Sequence, residues 1–243
     1  MALIADRAGV EIVSVGDTVG VNLWGHASPL EITVDEMLVV ARAVRRGVSR
    51  ALVSADLPFG PVQEGPAEAV RAAIRFVKEA GADLVKVDGA ADHLDAVEAI
   101  TRAGIPVFAQ FGITPQTALR HGVEYSSTPS AADRVPPELT GEMVATARRL
   151  EEAGAVLLNF TNSGPVAGAA VAEAATVPVL GGFGGGPWLD GRMRMAHAAI
   201  GYAASGLDED PPAAYVNVAR TTLDVLTRYV DDVRGARPLP GGR

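Results

Sequence analysis

The chain has 243 residues, 48% of them hydrophobic and 21% charged, a composition that excludes an intrinsically disordered protein. A formal net charge of −8 argues against nucleic acid as the main partner. The absence of cysteine excludes disulfides, thiolate nucleophiles and cysteine-bound metals. No apolar run reaches the ~18 residues of a membrane span, so a cytoplasmic chain without a membrane partner is expected. Lys78 and Lys86 are the only lysines, so a lysine inside an apolar stretch calls for a reason.

One phrase recurs along the chain: a helical stretch, a glycine, a short apolar run, then a small or acidic residue. The chain opens within a helix that ends at Gly9, and the run 12–15 leads to Gly16-Asp17. Gly47 precedes the run 51–54 and Asp56, and Gly81 precedes 84–87 and Asp88. Gly104 precedes 107–110 and Gly112, and Gly154 precedes 156–160. Val177-Pro178 leads into 179–180 and a glycine-rich stretch. Glycine just past a helix takes the left-handed conformation without steric cost. The short runs rich in Val, Leu and Ile are predicted as buried parallel strands. Amphipathic helices are predicted over 34–46, 66–80, 94–102, 141–153, 166–175 and 192–204, with a last helix over 214–233. Thr33 with Glu36 fits a capping box. Six or more such units predict an α/β fold, a (β/α)8 TIM-type barrel forming a single domain over 1–243. The strand count falls short of eight, so the first strand is expected to be lacking or replaced.

Asp17, Asp56 and Asp88 stand at the exits of three predicted strands, where parallel barrels build their active sites. One strand-end aspartate commonly caps the next helix. Three in register repel one another and point to a hard dication with oxygen ligands, Mg²⁺ fitting best. Lys86 lies two residues before Asp88, on the same face of its strand. It could bind a substrate carboxylate, pair with Asp88, or form an imine, although neighbouring carboxylates disfavour the neutral amine that imine chemistry needs. The stretch from Gly181 to Gly186 lacks the Lys-Ser/Thr of a phosphate loop and is expected to form a close turn. His26, His93, His121 and His197 show no metal-ligand spacing, and His93 is expected near a helix start. Asp6 and Glu79 are expected on solvated faces.

Several motifs together resemble the ketopantoate hydroxymethyltransferase family. They are Val15-Gly16-Asp17-Thr18-Val19-Gly20, Gly25-His26-Ala27-Ser28-Pro29-Leu30, Ala43-Val44-Arg45-Arg46-Gly47 and Ala55-Asp56-Leu57-Pro58-Phe59. Glu79-Ala80-Gly81-Ala82-Asp83, Val85-Lys86-Val87-Asp88-Gly89, Gly112-Ile113-Thr114-Pro115-Gln116, and Asp190-Gly191 with His197 follow in order. The resemblance implies a barrel of the phosphoenolpyruvate mutase and isocitrate lyase type, as a homo-oligomer. It implies Mg²⁺ near Asp17, Asp56 and Asp88, and a 2-oxo acid substrate held there by Thr18, Lys86 and the metal-side aspartates Asp17 and Asp56. The implied reaction is transfer of a hydroxymethyl group from methylenetetrahydrofolate to the enolate of that acid, an aldol-type bond formation.

The likeness has gaps. Counting from Ala153-Gly154-Ala155, Thr161 takes the place of the family's catalytic glutamate, and Gln110 that of a histidine. A threonine is no carboxylate base near neutral pH. The stretch from His121 to Tyr125 also departs from the family's loop, and His121, Glu124 and His26 are candidates for a replacement base. With Lys86, Thr161 and Gln110 at the catalytic positions, a diverged member with an altered substrate or electrophile is expected. Other superfamily chemistry, a C–C lyase or hydrolase acting on a 2-oxo acid, is an alternative. A non-catalytic relative that binds such an acid or serves as a scaffold is another.

Overall fold

The structure, a computed structural model, describes residues 1–117, 135–182, 185–208 and 214–240. Among these, seven strands form one parallel sheet: β1 Ile12–Val15, β2 Leu52–Asp56, β3 Leu84–Val87, β4 Val107–Gly112, β5 Leu157–Thr161, β6 Val179–Gly181 and β7 Gly191–Arg192. Their order in the sheet is their order in the chain. Each crossover therefore delivers the chain to the adjacent strand, the pattern of a TIM-type barrel; a doubly wound sheet would reverse direction. The helices are α1 Ala2–Ala8, α2 Val19–Trp24, α3 Val34–Arg45, α4 Pro66–Ala80, α5 Leu94–Arg102, α6 Thr140–Glu152, α7 Pro165–Ala174, α8 Ala196–Ile200 and α9 Val218–Arg234. One compact unit, Met1–Met193, carries the whole sheet, and a second spans Arg194–Arg243. No described helix is long and apolar enough to cross a membrane.

Period-two alternation divides every strand between two environments. Val13, Val53, Ala55, Val85, Val87, Val107, Ala109, Phe111, Leu158, Phe160 and Val179 join the main core with the apolar faces of the helices. The opposite face begins with a small separate cluster of Leu84, Phe108 and Leu157, backed by Ile12, Leu180 and Met193. Two residues further along the same face, the side chains turn polar: Ser14, Ser54, Lys86, Gln110 and Asn159. Two further still come Gly16, Asp56, Asp88, Gly112 and Thr161. An apolar floor thus carries polar side chains above it at the carboxyl ends of the strands. Gly112 has φ +92, and a Cβ there would come within 2.4 Å of the Thr161 carbonyl oxygen, so β4 and β5 exit side by side only with glycine at this position.

Local signals set most of the boundaries. Thr33 Oγ1 accepts from Glu36 N, while Glu36 Oε2 accepts from Thr33 N at 2.8 Å, the reciprocal capping box. Pro66 opens α4, and Gly81 closes it at φ 67. Two predicted helices differ. The 192–204 window splits: Gly191 and Arg192 pair with Leu180 and Gly181 as β7, and left-handed Gly201 ends the short α8. The last helix begins at Val218 because the Asn217 side chain accepts from Arg220 N and caps it there. Asp6 is buried at 6% exposure, contrary to the expected solvated face. It accepts from Ala51 N, Ser49 N and Oγ, and Arg50 N, which fixes the turn before β2 and holds its own pKa well below the carboxylate range. Glu79 is partly exposed and pairs with Arg75 and Arg42.

Thr33→Ala removes one half of the α3 cap. Unfolding in urea should show a loss of about 1 kcal/mol with an unchanged denaturant slope. An unchanged midpoint would mean that the cap adds nothing to the stability of this helix.

Candidate active site

The strand ends bring four charged side chains into one buried group. Asp56 ends β2, Asp88 follows β3, and Asp17 lies two residues past β1. Lys86 is paired in register with Asp56, and its Nζ stands 3.2 Å from Asp56 Oδ2. All four are buried, between 2% and 7% exposed. Gln116, beyond β4, ties the group together. Its backbone N–H donates to Asp88 Oδ2 at 3.2 Å, and its Nε2 donates to Asp17 Oδ2 at 2.8 Å and to the Leu57 carbonyl at 3.2 Å. The sequence placed Gln116 in a motif without a role; its signal was its position just past a strand end.

One lysine cannot neutralise three carboxylates. Burial, then the charges of Asp56 and Asp88, raise Asp17 from the ordinary 3.8 to about 7. Burial raises Asp88 to about 6, although Lys86, the Thr114 hydroxyl and Gln116 N–H pull it back. Burial works against the charge on Lys86, but the three aspartates together outweigh it and its pKa rises. Lys86 is therefore an ammonium ion, which weighs against imine formation.

The residues suit a magnesium ion held by few protein ligands. Among the described residues no three carboxylate or imidazole groups form a ready-made cage, and Lys86 and Gln116 occupy one oxygen of each aspartate. Asp56 Oδ1 and Asp88 Oδ1, however, are buried and without a hydrogen-bond partner. Mg²⁺ is commonly held by one or two carboxylates with waters and substrate oxygens, and these two orphaned oxygens offer that donor set.

Beneath and beside the carboxylates lie neutral polar groups. Gln110 Nε2 donates to Thr161 Oγ1 at 2.8 Å, so the two candidate catalytic residues touch. Gln110 Oε1, Ser14 Oγ and Ser54 Oγ are buried and unpartnered on the same inward face. Buried polar atoms that lack partners are expensive, roughly 1–3 kcal/mol each, and five on one face mark a place made for water or a polar ligand. Asn162, next to Thr161, is held at φ 56 by its Nδ2 hydrogen bond to the Ile113 carbonyl, a strained conformation of the kind found at functional sites. Thr18 precedes α2, and its Oγ1 lies 3.2 Å from where a Cβ on Gly16 would sit. Among the other sequence candidates, His26 packs on Gly20 of α2 and beside Glu36. His121 and Glu124 lie outside the described residues, as do Phe183 and Gly184 of the glycine-rich stretch. His93 stands at the start of α5.

The carboxylates set a pH dependence for the metal-free protein. Between about pH 4 and 7 the folded chain keeps protons on Asp17 and Asp88 that the unfolded chain releases. Stability therefore falls as pH rises through that window and then levels off. Asp6, Glu36 and Glu79, whose pKa values are lowered, act oppositely and lose their contribution as pH falls below about 4. Thermal melts in EDTA should peak near pH 4 to 5, and Asp17→Asn should flatten the decline toward pH 7. A decline of equal slope in that variant would remove Asp17 as its source.

Relatives agree with this architecture. A family model described as ketopantoate hydroxymethyltransferase matches residues 1–239. The 3-methyl-2-oxobutanoate hydroxymethyltransferase of Salinibacter ruber is 37% identical over 235 residues, covering 96% of this chain and 85% of the relative. The enzyme of the same name from Pyrococcus abyssi is 36% identical over 244 residues, covering 99% and 81%. Two solved structures share the fold. Oxaloacetate acetylhydrolase bound to 3,3-difluorooxalacetate has a TM-score of 0.58 at 14% identity, over 100% of this chain and 89% of that one. The corresponding values for 2,3-dimethylmalate lyase, a PEP mutase/isocitrate lyase superfamily member, are 0.57 and 16%, over 100% and 81%. With a family match along nearly its whole length and relatives 36% and 37% identical, this chain belongs to the ketopantoate hydroxymethyltransferase family.

Proposed function

We propose that this chain transfers a hydroxymethyl group to the enolate of a 2-oxo acid in a magnesium-dependent reaction, with a substrate or electrophile altered from the family's. The observation that carries the reading is the buried Lys86 ammonium among three strand-end carboxylates, two of which keep an orphaned oxygen. Asp56 and Asp88, with Asp17 beside them, would hold the ion. When bound, the ion supplies Lewis-acid polarisation of the substrate's keto oxygen.

The chain's own groups supply the rest. Lys86 places a fixed positive charge in a water-poor site, where it favours the negative oxygen of an enolate more strongly than water would. Its pairing with Asp56 holds that charge in place before substrate arrives. Thr18, ahead of α2, offers a hydroxyl to the substrate carboxylate. The Thr161 oxygen accepts from Gln110, which leaves the Thr161 hydroxyl proton as a donor toward the reacting centre. Neither Thr161 nor Gln110 takes up a proton near neutral pH, so this pair orients and does not act as the base. The methylene carbon arrives on a nitrogen carrier, of which methylenetetrahydrofolate is the family's form.

That neutral pair also favours a second reading, a relative that binds a 2-oxo acid without turning it over. Deuterium exchange at C3 of a panel of 2-oxo acids in D₂O, followed by NMR, separates the two. Exchange that requires Mg²⁺ supports enolate formation. Binding without exchange for every acid tested supports the second reading.

Two substitutions test the residues. Asp56→Asn should abolish exchange and weaken Mg²⁺ binding while leaving the melt in EDTA cooperative; undiminished exchange would sink the metal assignment. Lys86→Met should lower the exchange rate by about 10²–10³, the cost of removing one preorganised charge from an enolate site. A loss below tenfold would leave Lys86 with a structural role only.

A further inference from the structure

Below the carboxylates, β1 to β5 each turn one polar side chain inward: Ser14, Ser54, Lys86, Gln110 and Asn159. Ser54, Gln110 and Asn159 are at most 4% exposed, and the Ser14 hydroxyl oxygen is buried as well. We infer that this layer receives the C3 substituent of the 2-oxo acid and selects an uncharged group that both donates and accepts hydrogen bonds, a hydroxyl or a carboxamide. The inference rests on the reading of the substrate as a 2-oxo acid and adds to it which acids the site prefers.

Lys86, Thr18 and the strand-end aspartates form the end of the site that takes the keto and carboxylate groups. The C3 substituent therefore meets the remaining inward side chains. Register sets Ser14 beside Ser54 and Gln110 beside Asn159. Leu84, Phe108 and Leu157 close the space beneath them.

Hydrogen bonding decides which substituent fits. Gln110 donates through Nε2 to Thr161, and its Oε1 is left without a partner. The hydroxyls of Ser14 and Ser54 are unpartnered too, whereas Asn159 donates through Nδ2 to the Leu180 carbonyl. One amide acceptor and two hydroxyls that can turn either way are satisfied by a group with both capacities. An alkyl substituent, such as the branched one of 3-methyl-2-oxobutanoate, would cover these three atoms and offer them nothing. Charge narrows the class further. Lys86 is the one charged side chain of the five and repels an ammonium group, and its engagement by Asp56 leaves a second carboxylate without a free counter-ion. A buried hydroxyl kept for stability has a protein partner, and neither serine has one.

The test compares acids that differ by one hydroxyl: 4-hydroxy-2-oxopentanoate against 4-methyl-2-oxopentanoate, and 5-hydroxy-2-oxopentanoate against 2-oxohexanoate. Affinity for the 243-residue chain with Mg²⁺ is measured by calorimetry, and C3 exchange in D₂O by NMR with the enzyme-free rate subtracted. In at least one pair the hydroxy acid should bind about 10–100-fold more tightly, the scale set by one buried polar group left unpaired. Ser14→Ala and Ser54→Ala should each cut that preference about tenfold by weakening the hydroxy acid alone. Their melting temperatures in EDTA should stay level or rise, which loss of a structural hydroxyl would not allow. Equal or tighter binding of the alkyl acid in both pairs overturns the inference, as does failure of all four acids to bind. A preference undiminished in both variants overturns it too. Preferential binding of a hydroxy acid without C3 exchange of any acid overturns the transfer reading instead and leaves the selectivity standing.

Discussion

A single ammonium group surrounded by three carboxylates, all withdrawn from water, is the constraint to which the rest of the sheet answers. At an effective dielectric of about 20, a pair at 4 Å gains roughly 4 kcal/mol, while burying each ion costs several kcal/mol even after relaxation. Lys86 and Asp56 can therefore come close to breaking even as a pair. Asp17 and Asp88 have no such partner, and their raised pKa values express that imbalance. Gln116 offsets part of it with its backbone and side-chain N–H groups. A dication would complete the neutralisation, which makes the apo arrangement a metastable preparation for ligands more than a source of stability.

Stability must then come from the other face of the same strands. There the branched residues of β1 to β6 pack against helices lined by alanines such as Ala41, Ala69, Ala73, Ala96 and Ala147, all fully buried. Small side chains let the helices lie close to the sheet, and Phe111 and Phe160, register partners on β4 and β5, stack with ring centroids 4.6 Å apart. The division of labour follows from period-two alternation: one set of residues holds the fold together and leaves the other free to carry costly polar groups.

Much of the fold was legible because its signals are local. Gly9, Gly81 and Gly154 end or follow helices where the chain must turn left-handed, and the runs after them became β1, β3 and β5 within a residue of their predicted bounds. The Thr33–Glu36 box set the start of α3. Where the signal was only an apolar periodicity without caps, over 192–204, the expectation of one long helix gave way to a two-residue strand and a short helix. Asp6 escaped the sequence because an acid near the end of a short first helix gives no hint that four donors from residues 49–51 will close over it. Asp17, Asp56, Asp88 and Lys86 could be grouped from sequence because strand exits in a parallel barrel converge whatever their separation along the chain.

The sequence by itself determined the order of the strands, their inward and outward faces, and the chemical types gathered at their ends, since each depends on neighbours a few residues apart. Only the tertiary structure decided which atoms meet. The choice of Lys86 for Asp56, the bridging of Asp17 and Asp88 by Gln116, the contact of Gln110 with Thr161 and the orphaned oxygens of Asp56 and Asp88 all depend on register and on strand exit angles. Hydrogen bonds act over about 3 Å, and a shift of one residue in register would exchange every one of these partners.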